Sequence, residues 1–555
     1  MRIQKLVLLT VAGLLIPFAM AACWEFDNDY DQERCTESCG SDKICYRGSC
    51  VDENSLDAGT SDAPPMPIDA LPIAVDAPPV TVDALPITVD APPITVDAPP
   101  ITVDAPLITV DAPPVTVDAP PITVDAPPVT VDAGPYCGDS VKNGSEECDG
   151  NDLGGATCVS IGYSGGTLSC SSCVFDNSLC LKVLDPNGKF LGGLGSQGVS
   201  VASDGTNYLV GWSHPSTGYV RVMGVAGAGQ VLTGGAVAAV YAQSSAMTFD
   251  GTHFLSAWRN TSTATIQGRR VDTSGQILDA APFEIGSSNY AWAYPLASAA
   301  DGNQSFVVWL DEPSATQSSI YGARISTSGV VLDSPAILIG SYSHTLTAGT
   351  IGGPAVAAGN GRFWVTWWDS RTGGSIVYGV RISSNGTVED TTPIPLSSCC
   401  AANATFSAFD GNNFATAWYR TTATDNVVIT RVDQNGTVLD PNGITLTAPM
   451  VNAPGGAGKV KTWALPTGIV FDGTKFLVGF TAGSENGPDP MANWNLYTTA
   501  VTASGQADPN PTMVCDASGN SQPKVGMAIS SSTVILAWPD YRSGSSELYM
   551  ARIQP

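Results

Sequence analysis

Three aspartates follow a tryptophan at one spacing, Trp309/Asp311, Trp367/Asp369 and Trp538/Asp540, and the last two run on to Arg371 and Arg542. Carboxylates brought together from such positions can hold a cation or a polar ligand, and a pair of them is what hydrolysis of a glycosidic bond requires. Their recurrence at equivalent positions of a repeat argues for a simpler role, an internal turn or salt pair. A second group is aromatic. Tyr290, Trp292, Tyr294, Trp463 and Trp494 stand in or beside long loops, outside the periodic tryptophan position described next. Flat rings there can stack on sugars or anchor a protein partner, and equally can cover loops as packing groups.

The elements that must position these groups are set by a sevenfold repeat. An aromatic residue falls eight positions after each turn: Asp204/Trp212, Asp250/Trp258, Asp301/Trp309, Gly359/Trp367, Asp410/Trp418, Asp472/Phe480 and Ser530/Trp538. Period-2 apolar runs such as Phe306-Val307-Val308-Trp309, bounded by Asp-Gly or Asn-Gly, are hairpin signals. Each copy then passes through a strand that usually ends Arg-Ile or Arg-Val, a Ser/Asn-Gly turn and a Leu-Asp strand, as in Arg324-Ile325, Gly329 and Leu332-Asp333, which makes four short strands per copy. Successive aromatics are 46 to 62 residues apart, within the range of propeller blades. The fold class expected is all-β: a seven-bladed β-propeller at residues 181 to 555. The last copy reaches only Arg552-Ile553, while Val183-Leu184-Asp185-Pro186-Asn187-Gly188 repeats residues 438 to 443 letter for letter. The N-terminal segment is therefore predicted to supply the outer strand of blade seven and close the ring.

Charge separates the front of the chain from the rest. Only 14% of the 555 residues are charged, against a usual figure of about 25%. Residues 1 to 180 hold 6 basic and 27 acidic side chains, residues 181 to 555 hold 18 and 24. An acidic chain of this kind has no basic face to displace counterions from phosphates, so a nucleic-acid partner is not expected.

Residues 1 to 22, with Arg2, Lys5 and an apolar run from Leu6 to Phe18, read as a secretory signal peptide. Met20-Ala21-Ala22-Cys23 resembles the lipobox of bacterial lipoproteins, which implies lipidation at Cys23 and a membrane contact through that lipid. Plain cleavage, leaving a secreted protein, is the alternative. Residues 23 to 51 then hold Cys35, Cys39, Cys45 and Cys50, a knot too short for a core and dependent on bridges, with zinc as the rival reading. Residues 52 to 135 repeat Val-Asp-Ala-Pro-Pro-Ile-Thr with period seven. Paired prolines exclude helix and favour an extended, disordered polyproline II stalk.

Residues 136 to 180 hold Cys137, Cys148, Cys158, Cys170, Cys173 and Cys180, with Cys-Gly-Asp, Glu-Glu-Cys-Asp and Gly-Gly-Thr-Leu-Ser-Cys around them. This stretch resembles the Cys-rich repeat of myxobacterial and related deltaproteobacterial surface proteins, which implies a disulfide-bonded extracellular module without fixing a ligand. Asp149-Gly150-Asn151-Asp152 with Gly154 looks like part of a calcium loop, though an Asx-rich turn explains it better. Cys399, Cys400 and Cys515 form an odd group: one of the pair bridges Cys515, or the pair forms a vicinal disulfide.

Within a four-stranded blade the first and third turns share one face, and here both are short. The long, unlike loops at 286 to 296, 341 to 353, 448 to 467 and 481 to 493 share the other, which makes that face the expected binding surface. The periodic tryptophans, the arginines Arg270, Arg324, Arg381, Arg431 and Arg552, and His253 are read as structural. His214 and His344 have no metal or nucleophile motif beside them, and the Asp-box of sialidases is absent. The sequence thus predicts no enzyme, no metal and no cofactor beyond the calcium question. It predicts a monomeric, envelope-anchored propeller, on the outer membrane and surface-exposed, that binds a glycan or protein. The alternatives are a hydrolase of extracellular polysaccharide and a structural envelope protein without a ligand.

Overall fold

The computed structural model describes residues 43–46, 49–52 and 137–555, except 195–197, 215–217, 234, 240–241, 290–295, 315, 344–352, 371–374, 422–425, 448–450, 453–458, 461–462, 484–493 and 517–524. The signal segment, Cys23, Cys35, Cys39 and the proline-rich repeats lie outside the described residues. In the first knot a hairpin, Lys43–Tyr46 with Ser49–Asp52, sets Cys45 directly opposite Cys50.

Residues 199 to 515 form six four-stranded antiparallel sheets, each a simple meander. Blade three shows the pattern: Leu296–Ala300, Gln304–Ser314, Gln317–Ser326 and Ile337–Ser343. The first turn of most blades places glycine at a positive φ, as at Gly205, Gly251, Gly302, Gly411 and Gly473, a conformation that glycine adopts at no steric cost. The preceding aspartate fixes that turn: Asp301 Oδ1 accepts the N–H groups of Asn303 and Gln304 at 2.9 and 3.1 Å. Blade four uses Asn360 and Gly361 instead, both at positive φ, as a I′ turn requires.

Blade seven is composite. Gly526–Ile529, Val534–Asp540 and Glu547–Gln554 come from the C-terminal end. The outer edge of Glu547–Gln554 pairs with Lys182–Val183 and Lys189–Leu194. The predicted closure is therefore present. The first strand of each blade lies beside the first strands of both neighbours, all the way round, so these seven strands are innermost.

Hydrophobic burial follows the ring. Seven apolar clusters each span one junction between neighbouring blades, for example Phe306, Val308 and Leu310 against Phe363, Val365 and Trp367. The periodic tryptophans sit in these layers and are essentially inaccessible. Several press on a glycine: a Cβ on Gly286 would lie 2.5 Å from the ring of Trp309, so the side chain opposite must be absent. Among the described residues there is no α-helix, and none long and apolar enough to cross a membrane.

Residues 137 to 180 form a small module with Cys137–Cys173, Cys148–Cys170 and Cys158–Cys180 bridges around Cys158, Leu168 and Cys180. Leu181, fully buried, bridges Gly165 and leads directly into the closing strand.

Candidate functional site

The short-turn face is held by one device used repeatedly. In blades two to five an arginine near the end of the third strand clasps an aspartate nine residues on: Arg270–Asp279 at 2.6 Å, Arg324–Asp333 at 2.7 Å, Arg381–Asp390 at 2.6 Å and Arg431–Asp440 at 2.9 Å. The free arm of each guanidinium then donates to a backbone carbonyl in the next blade: Thr327, Ser384, Gln434 and Ala503 in turn. Each clasp thus joins two blades. Blade seven repeats the arginine–aspartate pair across the chain ends, Arg552 to Asp185 at 2.7 Å, and there Lys189 Nζ donates to the Gly229 carbonyl of blade one at 2.7 Å.

Blades one and six depart from the pattern. Gly224 replaces the arginine of blade one, and its N–H is taken by Thr233 Oγ1 at 3.0 Å. In blade six Ala500 stands at the arginine position, and Asp508 turns outward to the Cys-rich module, accepting Thr167 Oγ1 at 2.5 Å and Thr167 N at 3.2 Å. Asn510 donates to the same hydroxyl at 2.9 Å. The module is docked on blade six at the place where a clasp is missing.

The long-loop face carries the candidate site residues. Asp369 and Asp540 end the second strands of blades four and seven, Asp311 stands near the end of that of blade three, and all are buried, Asp369 and Asp540 completely. Asp369 and Asp540 each accept the indole N–H of the tryptophan two residues earlier, both at 2.9 Å. Asp540 also binds Arg542 Nη2 at 2.5 Å and caps the Arg542 N–H. That bond to Asp540 pushes the Arg542 guanidinium pKa further up, against the opposing effect of burial. Asp311 Oδ1 accepts the Asn289 N–H at 2.7 Å, at the root of the loop that bears Tyr290, Trp292 and Tyr294. Nearby Arg259 donates to the Ser288 carbonyl; burial lowers its pKa and the Asp311 charge works in the other direction. These acids serve turns, indoles and loop roots. Only Asp311 and Asp369 lie in neighbouring blades, and none of the three is on an innermost strand.

Among the aromatics, Tyr290, Trp292 and Tyr294 lie outside the described residues. Trp463 is the first residue of the first strand of blade six, Trp463–Phe471, paired with Gly483, and so belongs to the sheet and not to the loop. Trp494 lies over Gly483, whose Cβ would meet its ring at 2.9 Å. The sequence reading missed an aromatic ledge on blade seven. Phe190, half exposed, stands 5.6 Å from Tyr549, and Arg542 lies 4.2 Å from the centre of the Tyr549 ring. Phe190 belongs to the closing strand, so repeat periodicity gave no signal for it.

The cysteine alternatives resolve as a Cys399–Cys400 bridge, with Cys515 a buried thiol at the edge of blade six; the Cys515 bridge is thereby corrected. Cys515 Sγ lies 3.3 Å from Arg542 Nη2, at the end of the outer strand of blade six, and blade five separates it from the pair in the connection between blades four and five. In the Cys-rich module Asp149 Oδ2 accepts the Gly138 and Asp139 N–H groups, and Asp152 those of Lys142 and Gly154. The bond from Gly154, then that from Lys142, holds the Asp152 carboxyl below its usual range. This is the Asx-rich turn geometry. Glu146 and Asp149 also approach Cys173 Sγ within 4.8 Å, but that sulfur is bridged to Cys137 and offers no thiolate.

No known family's sequence profile matches the chain, and no curated protein does. Solved structures similar to it include a subtype N10 neuraminidase-like protein of A/little yellow-shouldered bat/Guatemala, at 10% identity and TM-score 0.34, covering 67% of this chain and 96% of that one. The β-propeller domain of the Trilobed protease from Pyrococcus furiosus shares 11% identity at TM-score 0.37, covering 65% and 95%. A protein from Lactobacillus plantarum shares 14% at TM-score 0.37, covering 62% and 94%.

Proposed function

We propose that this protein is a cell-surface lipoprotein whose propeller, held off the envelope by the proline-rich stalk, binds a glycan or a protein on its long-loop face. The observation that carries this reading is the distribution of charge. The seven innermost strands, which line the channel, contain no Asp, Glu, Lys, Arg or His. The three acids at the long-loop ends are committed to neighbouring donors. Glycoside hydrolysis needs two carboxylates flanking the scissile bond, whereas recognition needs hydroxyls, backbone groups and aromatic faces. The long loops carry Tyr290, Trp292, Tyr294 and, at an edge, Trp494 in sequence.

The test is binding of the purified, oxidised chain to an array of bacterial polysaccharides, glycans and envelope proteins, with Trp292→Ala, Trp463→Ala and Trp494→Ala as controls. Saturable binding lost in a folded control supports the reading, and no binding to any of them leaves a spacer. Turnover of a polysaccharide abolished by Asp311→Asn, Asp369→Asn or Asp540→Asn would replace it with a hydrolase. The anchor is tested separately: Cys23→Ser should move the protein from the membrane fraction to the soluble one.

A further inference from the structure

Four disulfides are present among the described residues, and one differs in kind. Cys137–Cys173, Cys148–Cys170 and Cys158–Cys180 span 36, 22 and 22 residues, whereas Cys399–Cys400 joins neighbours. The stabilisation a bridge gives by restricting the unfolded chain grows with the length of the loop it closes, so a bridge between neighbours staples nothing. Its surroundings differ from those of two of the three. Cys158 and Cys180 are both buried and Cys148 is buried beside a half-buried Cys170, while Cys399 is exposed and Cys400 half-buried, an exposure shared only by Cys137 and Cys173, whose bridge closes 36 residues. Cys400 holds φ at 64°, as Cys173 does at 62°, a left-handed conformation that residues with a Cβ rarely adopt.

The pair sits on the long-loop face, in the connection from blade four to blade five. That connection is tied down at both ends. Ser397 Oγ accepts the Val377 N–H at 3.0 Å on blade four. The Cys400 carbonyl accepts Thr421 N at 2.7 Å and Thr421 Oγ1 at 2.9 Å on blade five. The exposed bridge lies between these two ties.

We propose that Cys399–Cys400 is a thiol-exchange site, whose reaction partner is a dithiol reductant and whose reduction loosens the connection between blades four and five. A thiolate of the reductant attacks the exposed Cys399 sulfur, the S–S bond breaks, and Cys400 leaves as a thiolate that takes a proton. The second thiol of the reductant then attacks the mixed disulfide, releasing Cys399 as a thiol. The protein gains two electrons and two protons, and the reductant becomes a disulfide. Opening the ring frees Cys400 from its left-handed backbone and with it the carbonyl that holds Thr421.

The experiment titrates the oxidised full-length protein with dithiothreitol, traps thiols with iodoacetamide and reads each cysteine by peptide mass. Cys399 and Cys400 should be unlabelled at the start and open at a reductant concentration about tenfold below that needed for the three module bridges. Cys515 serves as the buried control, labelled only after denaturation. Opening together with or after the module bridges overturns the proposal, as does labelling of both residues before reductant is added. Hydrogen exchange over residues 396 to 421 should rise on reduction, and an unchanged rate overturns the loosening. The Cys399→Ser/Cys400→Ser double variant should lose the early labelling and keep the wild-type melting temperature; a drop equal to that of losing Cys158–Cys180 would make the pair a staple after all.

Discussion

On the short-turn face one contact recurs from blade to blade, an arginine holding its own blade's aspartate and the next blade's carbonyl. On the long-loop face the corresponding blade ends share no such unit: Asp311 takes a loop-root N–H, Asp369 an indole, and Asp540 an indole and a guanidinium. The ring is locked on one side by repetition, and the other side is left to loops that differ in length and composition. A rigid face under a variable one is how a scaffold carries recognition without risking its fold.

The comparison breaks most severely at closure. Deleting residues 183 to 193 removes the outer strand of blade seven and Asp185 together, and should leave no cooperative unfolding transition by calorimetry. Next come the clasps. Arg431→Ala or Arg552→Ala should each cost about 3 kcal/mol in denaturant unfolding, because the partner carboxylate loses a charged donor inside a mostly covered site and, for Arg431, so does the Ala503 carbonyl of the next blade. Equivalent changes on the long-loop face, such as Trp494→Ala, should cost less while altering any binding. Asp508→Ala should cost about 1 kcal/mol and increase proteolysis between the Cys-rich module and blade six, since two hydrogen bonds to Thr167 go with it.

Acid provides the gentlest probe. Burial raises the Asp279 carboxyl, but the Arg270 bonds outweigh it and the net pKa lies below the ordinary 3.8. A carboxyl depressed on folding contributes stability above its unfolded pKa and loses that contribution as pH falls through the folded value. The Arg270 partner is pushed up, by its bond to Asp279 first, and stays charged. The melting temperature should therefore be nearly flat from about pH 5 to about pH 8 and fall below about pH 4. A decline already complete by pH 5 would mean that the Arg270 clasp of Asp279 is not what acid breaks.

The sequence by itself determined the blade count, the composite closing blade and the positions of the buried tryptophans. These follow from local rules: an Asp-Gly turn, a period-2 strand and an aromatic at fixed spacing repeat in every copy. The duplicated Val-Leu-Asp-Pro-Asn-Gly even carried the closing clasp, since Asp185 meets Arg552 as Asp440 meets Arg431. Tertiary structure alone decided what the side chains meet across blades. It paired Cys399 with its neighbour and left Cys515 elsewhere, placed Trp463 on a strand, put Phe190 beside Tyr549, and turned Asp508 to the Cys-rich module. Contacts between blades join residues far apart in the chain, and their partners are fixed by how the ring closes, which no spacing within one repeat records.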